Sequence, residues 1–189
     1  MKRKLYSMYS ERALQIVPKV LPYIKKKDRI LDLGCGTGAI SRLIKTKNGN
    51  DLTLVDVQFN NMCDQFPVII YDGKKLPFKK NQFSTTLLIT VLHHSQNPKQ
   101  LLDQVATVTS GNIIIIEDIF TDILGRVITF IGDCIVNWEI HPIFRNHTKA
   151  EWIRIFQNSG LKILEVKEFK LRCIGFPFKL AIFVTRKKT

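Results

Sequence analysis

Three aspartates, two adjacent histidines and a run of alternating glycines carry the chemistry on offer. Asp32 stands two residues ahead of Gly34-Cys35-Gly36-Thr37-Gly38. Glycine at every second position lets a chain reverse sharply and lets backbone N–H groups come close to a ligand. A helix that starts just after such a loop points unpaired N–H groups and its positive end at whatever lies over it. The loop fits the dinucleotide pattern Gly-x-Gly-x-x-Gly/Ala as literally as it fits Gly-x-Gly-x-Gly. Asp32 breaks the tie, because a carboxylate there suits a cationic amino group and would repel a pyrophosphate. Asp56, about twenty residues beyond Gly34, suits the hydroxyls of a ribose. His93 or His94 could act as general base toward a hydroxyl or an acidic carbon, since a free imidazole titrates near working pH. Such a pair also suits packing and backbone support.

These residues need elements to position them. Ile30 to Leu33 reads as a strand, the glycines break it, and Ala39 onward resumes apolar spacing of helical period. That helix should run to about Lys45 and end near Asn48-Gly49-Asn50. Asp51 to Asp56, Val68 to Tyr71, Thr85 to Val91 and Asn112 to Glu117 read as four further strands. The crossover before Val68 must be short. Upstream, Leu14, Val17, Leu21 and Ile24 mark an amphipathic helix that Pro18 and Pro22 should cut or kink. A helix from Pro98 to Val108 should stop at Ser110-Gly111. Thr148 and Glu151 fit a capping box opening a helix through Asn158 that Gly160 ends. Leu161 to Phe169 and Phe178 to Arg186 alternate and should pair as a hairpin.

Asp32-Leu33-Gly34-Cys35-Gly36-Thr37-Gly38, with Asp56, Asp72-Gly73, Leu76-Pro77-Phe78 and Val91-Leu92-His93-His94 following in order, resembles the class I S-adenosylmethionine-dependent methyltransferases. Within them it is similar to the ubiquinone/menaquinone-biosynthesis group. The resemblance covers roughly residues 10 to 170. It implies an α/β Rossmann-like fold, a doubly wound, mostly parallel seven-stranded sheet of order 3-2-1-4-5-7-6 with one antiparallel edge strand. It implies S-adenosylmethionine as cofactor, held by Asp32, Gly34, Cys35, Gly36, Gly38, Asp56, Val57, Asp72, Gly73 and Thr90. Asp72 would take the adenine amino group. An aromatic of the first segment, Tyr6 or Tyr9, would cover cofactor or substrate. The family usually shows Phe-Asp where this chain has Phe83-Ser84, a lost turn-forming carboxylate. Base-methylating relatives carry an Asn/Asp-Pro-Pro-aromatic tetrad where this chain has Leu92-His93-His94-Ser95, which argues against methylation of nucleobase amines.

The 189 residues fit a single domain, 1–189, with a helical segment at 1–28 and an inserted lid at 119–146. The insert is apolar, interrupted by Arg126 and Asp133, and too polar to span a membrane. Trp138, His141 and Arg145 are its candidates for substrate contact. No room remains for the substrate domain of a nicotinamide enzyme. Four cysteines without paired spacing suit neither a zinc site nor a disulfide framework, so a reduced, cytoplasmic protein without a secretory leader is expected. The net charge is +13, and the first 50 residues hold twelve lysines and arginines against three acids. The leading expectation is methyl transfer to a small apolar or aromatic molecule. Two others follow: an RNA or protein methyltransferase using the basic segment, and a catalytically silent cofactor-binding subunit that supports a partner.

Overall fold

A computed structural model describes residues 2–59, 66–120, 147–173 and 176–188, without the side chains of residues 2–7, 173 and 176. The elements are α1 (Lys2–Val20), β1 (Arg29–Leu33), α2 (Ala39–Asn48), β2 (Asp51–Asp56), β3 (Val68–Ile70) and β4 (Phe83–Ile89). They continue with α3 (Pro98–Val108), β5 (Thr109–Asp118), α4 (Lys149–Asn158), β6 (Leu161–Cys173) and β7 (Phe176–Lys187). The sheet has the order β3-β2-β1-β4-β5-β7-β6. Strands β1 to β5 pair in parallel, and β7 runs antiparallel to both β5 and β6. The reversed strand is therefore β7, one place in from the edge.

The central strands are apolar on both faces because helices cover both. Alternation along β5 sends Ile113 and Ile115 into one core with α3 and α4, where Trp152 and Phe156 are fully buried. Ile114 and Ile116 enter the opposite core with Ile16, Val17 and Val20 of α1 and Ile44 of α2. That parity continues past the isoleucines and decides where Glu117 and Asp118 point.

Local signals work mostly as the residues dictate. Gly49, at φ 75°, closes α2 by donating to the Lys45 carbonyl, and the Thr148–Glu151 capping box is complete. Pro18 lies inside α1, which ends two residues later and passes into a 3-10 turn at Leu21–Tyr23 containing Pro22. Strand β4 begins and ends two residues earlier than its apolar run suggests. The one misread signal is Ser110-Gly111, which lies inside β5 and does not end α3. A Cβ on Gly111 would come within 2.4 Å of the Ser84 carbonyl oxygen, so this glycine permits close approach of β5 to β4 at a register shift. Ser84 itself replaces the missing carboxylate: its hydroxyl accepts from the Arg29 N–H at 2.8 Å and ties β4 to β1.

Candidate cofactor and substrate cleft

The glycine loop starts where β1 ends. Gly34 and Cys35 both donate to the Val55 carbonyl, at 2.8 and 3.2 Å, which draws the loop over the end of β2. Its glycines answer different needs. Gly34 (φ 75°) packs under Val91, and a Cβ there would meet Val91 Cγ2 at 2.5 Å. Gly36 (φ 53°) has nothing within 4 Å of an added Cβ, so it opens onto space that a side chain would fill. The Gly36 N–H donates to Asp56 Oδ2 at 2.8 Å, while Asp56 Oδ1 accepts from Val57 N at 2.7 Å. Asp56 thus ties the glycine loop to the turn after β2, with Gly38 as the left-handed N-cap of α2 beyond it.

Beside this loop a cleft of about 220 Å³ lies on the α1–α2 face of the sheet. Asp32, Gly34, Cys35, Gly36 and Thr37 form its floor. Tyr9, Arg12 and Ala13 of α1 close one side, and Leu171, Phe178 and Leu180 of the hairpin close another. Thr90, His94 and Asp118 stand at the carboxyl ends of β4 and β5, where α/β sheets hold ligands.

Asp32 is only 3% exposed and accepts from the Ser41 hydroxyl at 2.6 Å. Burial lifts its pKa to about 6, with the Ser41 hydrogen bond opposing and the charge of Asp56 adding a little. A buried carboxylate of this kind is stabilised as the anion by a cation placed beside it. Thr90 is a β-branched residue at φ 55°, a conformation few such residues adopt. Its N–H donates to Ile116 O at 2.7 Å and its hydroxyl to Ile89 O at 2.7 Å, while Arg12 Nη2 donates to the same hydroxyl at 2.8 Å.

The two histidines differ in burial, although their ring centroids lie only 4.0 Å apart. His93 is buried, and its Nδ1 lies 2.6 Å from Glu117 Oε2, the ring N–H donating to the carboxylate. Glu117, fully buried, also accepts through Oε1 from Val91 N at 3.0 Å and Leu92 N at 2.7 Å. His93 is not among the residues lining the cleft: with Glu117 it braces the turn after β4, and its ring lies against that of His94. His94 alone of the pair lines the cleft. Asp72 sits at the end of β3, where its Oδ1 accepts from Lys74 N at 2.9 Å and Lys75 N at 3.3 Å. These N–H groups hold its carboxyl below the usual range. Gly73 follows at φ 74°. Asp56, Val57, Asp72 and Gly73 lie beyond the walls of the cleft, at the carboxyl ends of β2 and β3.

Trp138, His141 and Arg145 lie outside the described residues, as does the side chain of Tyr6. The flanks of the insert are described: Ile119 and His147 form a parallel bridge next to Asp118. Two charged cleft residues escaped the sequence reading, as did the apolar wall of Ile89, Leu171, Phe178 and Leu180. Asp118 could have been found by extending the β5 alternation, since it shares parity with Ile114 and Ile116. Arg12 carries no such signal, because a cation on an amphipathic helix reads as solvent-facing.

The described fold and the loop over β1 define the class of S-adenosylmethionine-dependent methyltransferases of class I. The sequence profile of the family described as Methyltransferase domain matches residues 4–166, and the chain belongs to that family. An uncharacterised protein of Methanocaldococcus jannaschii is 25% identical over 177 residues, which is 91% of this chain and 66% of the relative. Another from that organism is 34% identical over 91 residues, 47% of this chain and 44% of the relative. The chain thus spans between about half and two thirds of the length of these curated relatives. A SAM-dependent methyltransferase from Thermotoga maritima superposes with a TM-score of 0.72 at 17% identity, covering 98% of this chain and 95% of that one. One from Methanosarcina mazei gives 0.69 at 15%, covering 90% and 97%. The cyclase SpnF gives 0.72 at 13%, covering 93% and 80%. At these identities the likeness shows the fold alone. The ubiquinone/menaquinone subgroup is not distinguished by any of them. The cofactor of the family is S-adenosylmethionine, and the open space at Gly36 and the buried Asp32 fit it.

Proposed function

We propose that the chain transfers a methyl group from S-adenosylmethionine to a small, largely apolar molecule. The observation that carries this is the cleft itself. It combines a glycine floor and a buried carboxylate with an apolar wall of Ile89, Leu171, Phe178 and Leu180. When bound, the cofactor supplies a methyl group already activated on a sulfonium. The chain's part is to bind, orient and keep out water. Asp32 would hold the cationic amino group and Arg12 the carboxylate of the methionine moiety. Asp56 would take the ribose hydroxyls, and Asp72 with Gly73 would face the adenine. Tyr9 and the hairpin shield the substrate side. His94 or Asp118 would accept a proton from a substrate hydroxyl or ammonium. Among the described residues no helix is long and apolar enough to cross a membrane.

Calorimetric titration with S-adenosylmethionine and its demethylated product, with NAD as control, tests the cofactor half. Micromolar binding of the first two and none of NAD is expected. The substrate half is tested by incubating protein and labelled cofactor with a cell extract split by ultrafiltration. Label in the small-molecule fraction supports the reading, and label confined to RNA or protein overturns it.

A further inference from the structure

The cleft lies at the carboxyl ends of the strands, and the opposite rim of the sheet carries an unrelated feature. Lys25, Lys26 and Lys27 form the turn into β1, and all three are exposed. Lys79 and Lys80 occupy the turn into β4. The register of β7 against β5 and β6 brings Lys187 to the same rim, with Lys188 following it. Lys45 and Lys47 close α2 just ahead of β2. The sequence suggested a basic amino-terminal segment; the fold gathers cations from four separate stretches onto one edge.

Three observations mark this rim as built. The Lys25–Asp28 turn is pinned from below by Asn50, which is fully buried and donates to the carbonyls of Lys25, Lys26 and Asp28 at 2.8, 3.3 and 3.1 Å. Among the described residues none of these lysines is in an ion pair, so their charge is not neutralised by a neighbouring carboxylate. Among the described residues the acids on the rim are two: Asp51, and Asp28, which is turned inward to Thr85 Oγ1 at 2.9 Å. Exposed large apolar side chains are absent from these turns among the described residues, which disfavours insertion into a lipid surface.

We infer that this rim docks the phosphate backbone of double-stranded RNA, away from the cleft. Five neighbouring strands about 4.8 Å apart make it roughly 20 Å wide. A nucleic-acid duplex presents on the order of ten phosphates over that span. The rim offers turns and strand ends with lysine heads as point charges. That suits backbone contact without base reading, the mode that duplex RNA favours because its deep major groove excludes side chains. The rim and the cleft are separated by the length of β1, about 15 Å, so the docked RNA is a tether and not the group methylated. This inference stands whether or not the cleft transfers methyl groups.

The test measures binding of a labelled RNA hairpin to the full chain without cofactor at a series of salt concentrations. Binding should weaken at least ~10-fold between 50 and 200 mM salt. Lys26→Glu/Lys80→Glu should weaken it at least ~10-fold further and flatten the salt slope by about two. Arg154→Glu/Lys170→Glu, the same change of net charge on other surfaces, should leave it within about twofold. Equal loss in both double variants, no binding at 50 mM salt, or binding to phosphatidylserine vesicles in preference to RNA would each overturn the inference. Unchanged calorimetric binding of S-adenosylmethionine by Lys26→Glu/Lys80→Glu keeps misfolding, and any failure of the cleft, separate from failure of the rim.

Discussion

The two ends of this sheet treat charge in opposite ways. At the carboxyl ends Asp32, Glu117 and Asp118 are buried or nearly so, and Asp32, Glu117, Asp56 and Arg12 each hold a defined hydrogen bond. At the amino ends the lysines stand in water, and only the backbone beneath them is fixed. A buried polar group is costly unless satisfied, so the first end is a set of mutually dependent partners. An exposed cation contributes little to stability, so the second end is free to vary without loss of the fold. Mutations should therefore report on stability and cofactor binding at one end and on ionic association alone at the other.

The largest effect should come from Glu117. Replacing it with alanine leaves His93 and the N–H groups of Val91 and Leu92 without their shared acceptor inside the core. A loss of about 3–5 kcal/mol in urea unfolding is expected. Glu117→Gln, which keeps one acceptor, should lose distinctly less. If Glu117→Ala cost under about 1 kcal/mol, the turn after β4 would not depend on that carboxylate. Next is Gly36→Val, which puts a branched side chain into the open space over the loop at φ 53°. Affinity for S-adenosylmethionine should fall at least ~100-fold, about 2.7 kcal/mol, while His94→Ala should bind it normally.

How far these roles were legible in the sequence follows from how local each one is. The strand, loop and helix around Gly34 to Gly38 are written in consecutive residues, and so is the capping box at Thr148. Strand order came from the family resemblance and agrees with the observed sheet. The division between His93 and His94 was not legible, because both lie in one 3-10 turn with their rings in contact and only Glu117, on another strand, decides which is braced. Gly111 was misread for the same reason: its purpose is the Ser84 carbonyl on β4, and nothing beside it in sequence shows that contact. Asp118 was within reach of the alternation along β5, and the rim of lysines emerges only when the topology brings distant turns together.

Asp32 sharpens the comparison through pH. Its folded pKa, about 6, is above the unfolded value of 3.8, so the empty protein favours the protonated acid. That contribution to stability is complete below pH 3.8 and is lost as pH rises through 6. A bound cation reverses the preference by favouring the carboxylate. Cofactor affinity should therefore rise about 10-fold from pH 5 to pH 7, measured by titration at each pH, and Asp32→Asn should bind weakly with a flat profile. A flat profile in the unmutated protein would mean that Asp32 does not face the cofactor's amino group.

The smallest effect on stability is expected at the other end, and its smallness is the point. Lys26→Glu reverses one charge among neighbours of like sign, which relieves repulsion with Lys25 and Lys27 and breaks no hydrogen bond that Asn50 makes to the backbone. The change in unfolding free energy should lie within about 0.5 kcal/mol at low salt and vanish as salt screens the turn. Asn50→Ala, which removes the support under the same turn, should cost more, about 1–3 kcal/mol for three carbonyls left without their donor. If the two substitutions cost the same, the turn would be held by its lysines and not by its backbone. The amino end would then share the mutual dependence that marks the cleft.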